Sequence, residues 1–82
     1  MLLTVEVELK ENTATIETIK EVAICCDDKG IDHLIEKLKS LKGQADHLHL
    51  MTQSWAGEDL TEQKQGGDDY ILAHHLRIVR LG

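Results

Sequence analysis

His47-Leu48-His49-Leu50-Met51-Thr52 runs directly into Gln53-Ser54-Trp55-Ala56-Gly57-Glu58-Asp59-Leu60-Thr61-Glu62-Gln63-Lys64-Gln65-Gly66-Gly67-Asp68-Asp69. The first six residues alternate as a short strand does. The next seventeen keep neither a strand period nor a helical one. Most connections in small domains have about 4–6 residues, and longer ones are usually functional or disordered. Trp55 and Leu60 argue against disorder, because a large ring and a leucine can pin such a segment to the body while its acidic residues face water. This predicts a small scaffold that displays an anchored, acidic loop.

On either side of the loop the chain alternates or turns helically. Leu3, Val5, Val7 and Leu9 face one way, and Thr4, Glu6, Glu8 and Lys10 the other, which is the pattern of a half-buried strand. Glu11-Asn12 mark a turn, and Thr13 to about Cys26 is rich in β-branched residues, as a second antiparallel strand would be. The alternation slips between Ile16 and Ile19. A bulge near Thr18 restores it, and so would two shorter strands with a turn at Glu17 to Glu21. From Asp27 the period changes: Ile31, Leu34, Ile35, Leu38 and Leu41 recur at helical spacing, Asp27 or Asp28 can cap the start, and Gly43 stands at the end. Aspartates near the start and Lys37, Lys39 and Lys42 near the end suit the helix dipole. A single apolar stripe predicts a helix lying across a sheet.

Asp46 to Thr52 is the third strand and Tyr70 to Leu81 the last. Apolar residues fall on both parities of that last run, as in a strand covered on both faces, and Arg77 and Arg80 suit an edge. The whole reads as α+β: a small antiparallel sheet of about four strands, ββαββ, with one helix packed on one face. The other face is left to water, a second copy or a partner, and Glu6, Glu8 and Glu17 are expected to make it acidic.

Composition narrows the function. The 82 residues suffice for one domain with one modest core, built from Leu, Ile and Val because Phe is absent and Tyr and Trp occur once each. The net charge of −6 is the wrong sign for a phosphate-neutralising face, so nucleic acid is not expected as a partner and a basic protein is. Cys25 and Cys26 are neighbours on a strand, point to opposite faces and are poorly placed to pair. That suits a reducing cytosol. No signal-like segment or bilayer-length apolar span is seen, and a cytoplasmic location is expected.

Catalytic chemistry finds little support. Ser40 and Ser54 lie in no Gly-x-Ser-x-Gly elbow, and Gly66-Gly67 precede two aspartates that would repel an anion. Asp27 and Asp28 disfavour a thiolate at Cys26. His47 and His49 share a strand face, and His74-His75 could lie on a neighbouring strand, so these four are candidate zinc ligands. Imidazoles at strand ends that bond to backbone or carboxylates are the favoured alternative, since neither CxxC nor HExxH accompanies them and HxH and HH pairs alone are weak metal signals. His33 with Glu36 is ordinary for a helix face. No catalytic residue and no cofactor are expected. The acidic loop remains. Glu58, Asp59, Glu62, Asp68 and Asp69 stand against one cation, Lys64, and with Trp55 they are the candidate partner-binding residues. A solvated loop that only confers solubility is the plain alternative.

The order and spacing of His47-Leu48-His49-Leu50-Met51-Thr52, Ser54-Trp55-Ala56-Gly57, Asp59-Leu60-Thr61-Glu62, Gln65-Gly66 and His75-Leu76-Arg77-Ile78 resemble immunity protein family 32 of bacterial polymorphic toxin systems. The resemblance covers roughly the second half of the chain. It implies a cytoplasmic α+β protein that binds and neutralises a cognate toxin domain without catalysis, and it assigns no contact residues. A metal-binding module built on the histidines is the alternative. A homodimer burying the open sheet face is compatible with either.

Overall fold

The computed structural model describes residues 1–9, 19–43 and 46–82. Over these residues the fold is α+β, with five strands in two antiparallel sheets and one α-helix. β1 (Leu3–Leu9) lies between β2 (Ile19–Cys26) and β4 (Tyr70–Ala73). β3 (His47–Met51) and β5 (His75–Val79) form a separate two-stranded ribbon. The helix α1 (Asp28–Gly43) stands between β2 and β3 in the chain. Among the described residues, no helix is long and apolar enough to cross a membrane.

The alternation of β1 is realised in its register. Leu3, Val5 and Val7 stand opposite Cys26, Ile24 and Val22 of β2, and Val5 and Val7 opposite Ala73 and Ile71 of β4, so all of these share one face. The pairing with β2 shifts between Glu8 and Leu9, leaving Lys20 as the extra residue. Ile19 to Glu21 are strand, which removes a turn there. Thr18, Glu17 and the Glu11-Asn12 turn lie outside the described residues.

The run from Tyr70 to Leu81 shows apolar residues on both parities because the chain changes sheets within it. Tyr70–Ala73 pairs with β1, the chain breaks at His74, and His75–Val79 pairs with β3. Leu76 and Ile78 of β5 then pack against the core. Arg77 stands opposite His49 on the ribbon, and the Arg80 amide donates to the Asp46 carbonyl at 2.8 Å.

Leu3, Val5, Leu50 and Leu60 form the buried centre, with Cys26, Leu34, Ala73, Leu76 and Ile78 around it. The core thus joins both sheets, the helix and the long loop. The helix starts as expected: the Asp27 carboxylate accepts from the Gly30 amide at 2.8 Å, and its carbonyl accepts from Ile31 at 2.9 Å. Backbone donors at Leu2 and Gly30 hold the Asp27 carboxyl below its ordinary range. Gly30 and Leu41 are buried, and Leu34 reaches the core. Ile31, Ile35 and Leu38 stay about 43–44% exposed, so only one edge of the apolar stripe is covered. The reason is placement, since His33 and Lys37, next to the covered Leu34–Leu41 edge and across the helix from Ile31, Ile35 and Leu38, are drawn to the loop at Asp59.

Gly30 permits the approach of α1 to the sheet. A Cβ there would collide with the Leu2 carbonyl oxygen and lie 3.0 Å from the Cys26 Cβ. Alanine normally gains about 1 kcal/mol over glycine within a helix. Gly30→Ala is expected to do the reverse and destabilise by about 1–3 kcal/mol through overpacking. A melting temperature equal to or above that of the parent would refute this account of the contact.

The largest departure from the sequence reading is Glu6. It was expected to make the second sheet face acidic, yet it is fully buried. Its carboxylate accepts from Thr4 Oγ1 at 2.6 Å, the Gln65 amide at 2.9 Å and the Gly66 amide at 2.7 Å. Burial alone would push its pKa up. The hydrogen bonds from Thr4, Gln65, Gly66 and Cys25 more than offset this and leave it below the ordinary glutamate range. Beside it, burial pushes the Cys25 thiol up, and Cys25 and Cys26 are both free thiols.

Candidate functional site

The connection from Thr52 to Tyr70 is built from backbone hydrogen bonds and three deep anchors. Thr52 is buried; its amide donates to the His74 carbonyl at 3.0 Å, and its hydroxyl shares a 2.7 Å hydrogen bond with His74 Nδ1. Its carbonyl accepts from Trp55 and Gly57, each at 2.9 Å, around a single 3-10 turn, Gln53–Trp55. Ala56 closes that turn with a φ of 64°. Gly57 follows because a side chain there would run into the Met51 carbonyl.

The chain then returns beside β3, where the Leu60 amide donates to the Met51 carbonyl at 3.1 Å. Leu60 is only 4% exposed and is the first anchor. Thr61 is the second: its amide donates to the Leu3 carbonyl at 2.7 Å and its hydroxyl accepts from the Leu3 amide at 2.9 Å. The third is the buried Glu6 carboxylate, which holds Gln65 and Gly66. Lys64 Nζ ties the last turn down by donating to the carbonyls of Gly67 at 3.0 Å and Tyr70 at 2.7 Å. The Tyr70 hydroxyl in turn donates to Glu21 at 2.8 Å, which pushes its pKa up to about 12.

The six candidate residues divide. Trp55 was expected to help pin the loop, but it is 55% exposed and lies flat on His74, with ring centroids 5.9 Å apart and planes 4° from parallel. Leu60 does the pinning, and the indole is displayed. Glu58 and Glu62 line an open concavity of about 530 Å³ together with Gln53, Ala56, Gly57 and Leu60. The Glu62 carboxylate accepts from Ser54 Oγ at 2.6 Å and lies 3.8 Å from His74 Nδ1. Asp59 is turned inward, 2.7 Å from His33 Nε2 and 3.3 Å from Lys37 Nζ, and joins the loop to α1. Asp68 and Asp69 are exposed in the turn leading into β4. Glu58 and Glu62 therefore share one concavity, and Trp55 projects over His74 from the turn whose Gln53 and Ala56 line it; Asp59 ties the loop to α1, and Asp68 and Asp69 lie in a separate turn.

The histidines divide as well. His47, His49 and His75 lie on one exposed face of the β3-β5 ribbon, as their register requires. His49 Nδ1 and His75 Nε2 share a 2.7 Å hydrogen bond, and the rings of His47 and His49 meet edge to face at 4.9 Å. Partial loss of water and the neighbouring His47, His75 and Arg77 keep the His49 pKa below its ordinary value. His47 Nδ1 pairs with Asp46 at 2.7 Å, which lowers the aspartate pKa. His74 is committed to Thr52 and Trp55. The four candidates for the alternative metal site do not converge, and among the described residues no three His, Cys, Asp or Glu side chains form a group able to hold a metal ion.

Sequence reasoning missed Glu6, His33 and Lys37 as supports of the loop. Their partners lie 59–60, 26 and 22 residues away in the chain, and no local period reports such a pairing. These contacts define a small α+β scaffold displaying one rigid acidic-aromatic loop. No family model, curated protein or solved structure matches the chain.

Proposed function

We propose that this chain is a non-enzymatic immunity protein of the cytoplasm, which binds a cognate toxin domain through Trp55 and the acidic surface around it. The observation that carries this reading is the presentation of a half-exposed indole on the same loop as the concavity lined by Glu58 and Glu62, a loop held by Leu60, Thr61 and Glu6. A preorganised loop loses little entropy on docking, and a displayed tryptophan is the residue type most often found at binding hot spots. The net charge of −6 suits a basic partner, such as a nuclease whose substrate groove is positive. Neutralisation follows by occlusion of that groove, which requires no chemistry of the inhibitor. The resemblance of residues 47–78 to the immunity family agrees with this reading.

Co-expression with candidate toxin domains, scored by rescue of growth, tests the function directly. For a pair that rescues, the association rate should fall steeply as salt is added, because the steering is electrostatic. Trp55→Ala should weaken the complex by about 2 kcal/mol or more, roughly thirtyfold, while leaving the melting temperature nearly unchanged. Full affinity in that variant, or association indifferent to salt, would remove the loop as the contact.

A further inference from the structure

We infer that the chain pairs with a second copy of itself along β2, forming a continuous six-stranded sheet with the two helices facing each other across the seam. β2 is an edge of its sheet, and among the described residues nothing pairs with its outer side. Natural edges are usually blunted by charge, proline or cover. Along β2 the only ionisable groups besides the thiols are Lys20 and Glu21, both at its start, and there is no proline. Ile19, Val22 and Ile24 lie on the face that carries α1 and are 58%, 55% and 46% exposed. Ile31, Ile35 and Leu38 are exposed on the flank of α1 away from the Asp59 contact, and α1 itself packs against β2. Exposed apolar residues thus lie on the free-edge strand and on the helix packed against it, while only five hydrophobic side chains are buried among the described residues. Cores this small are commonly completed by oligomerisation.

The sequence of β2 suits self-pairing. In a two-fold antiparallel pair, opposite residues share a face, so the axis must pass through a residue position. Axes at Ala23 and at Val22 give equally long overlaps, Lys20–Cys26 and Ile19–Cys25, but the second sets Lys20 opposite Ile24 and Val22 opposite itself, so the apolar match favours Ala23. The Ala23 axis sets Val22 opposite Ile24 twice on the helix-bearing face, and Glu21 and Lys20 opposite Cys25 and Cys26 of the other copy. No like charges meet, whereas an axis at Glu21 would oppose two glutamates. The seam runs about 23 Å at the usual rise per strand residue. The Trp55 loop lies beyond the other flank of α1 and stays free. Because each copy carries −6, added salt should strengthen this association, the opposite of its effect on capture of a basic partner.

Sedimentation of the full chain at ~50 µM protomer tests the pairing, since dimer population depends on protomer concentration. The wild type should sediment at twice the protomer mass of 9.2 kDa. Val22→Lys and Ile35→Lys should each weaken self-association at least tenfold, and Ile71→Lys, on the opposite edge strand, should not. With Cys25→Ser and Cys26→Ser in place, Ala23→Cys should be joined between copies by a short thiol cross-linker, and Ile71→Cys should not. A wild type that remains monomeric overturns the proposal. So does a dimer indifferent to Ile35→Lys, or one without the Ala23 cross-link. These last two keep the test decisive if Val22→Lys fails to fold.

Discussion

Glu6→Ala is expected to remove about 3–5 kcal/mol of stability, because three donors in a buried place lose a charged acceptor at once and each such loss costs about 1–3 kcal/mol. The donors are the Thr4 hydroxyl and the amides of Gln65 and Gly66, all within 2.9 Å of the carboxylate. A domain of this size has about 4–12 kcal/mol in total, so the variant should be marginal and its melting transition much lower. Glu6→Gln keeps the shape and one acceptor oxygen and should lose less, about 1–2 kcal/mol. Urea titration of both variants measures the difference. A midpoint for Glu6→Ala within error of the parent would show that water replaces the carboxylate freely.

The same residue predicts an acid limb. Its pKa is lower in the folded chain than in the unfolded one, so across the interval between the two values the unfolded state binds more protons. The stabilisation is therefore complete above the unfolded value of about 4.3 and is lost as the pH falls through the lower folded value. Glu6→Gln should flatten that part of the stability profile. An unchanged acid limb would assign it to other carboxylates.

Leu60→Ala is the second large effect. Leu60 is nearly fully buried against Leu3, Val5 and Leu50, and removing such a side chain costs about 2–5 kcal/mol. Because Leu60 also holds the loop beside β3, the variant should lose partner affinity along with stability. Trp55→Ala should lose affinity alone. Equilibrium unfolding and partner binding of the two variants separate these roles. If Trp55→Ala were the more destabilising, the indole would be the anchor of the loop and not a displayed contact.

Local periodicity determined a good deal of this protein. The alternation of Leu3 to Leu9 set which side of β1 turns inward, the spacing from Ile31 to Leu41 set the helix, and Asp27 set its start. Trp55 and Leu60 marked the 53–69 segment as an ordered loop, of which only Leu60 proves buried, and His47 and His49 fell on one face as a strand requires. Tertiary structure decided the rest. A two-residue period says which side a residue faces and is silent about what covers that side, so Glu6 read as solvent-facing until a loop about sixty residues later closed over it. The double parity of Tyr70 to Leu81 fits one strand buried on both faces as well as two strands in different sheets, and the pairing of 70–73 with β1 and of 75–79 with β3, on either side of His74, separates them. Whether Trp55 anchors or projects depends on which of two apolar side chains reaches the core first. Leu60 occupies that place, and the indole is left against an imidazole at the surface.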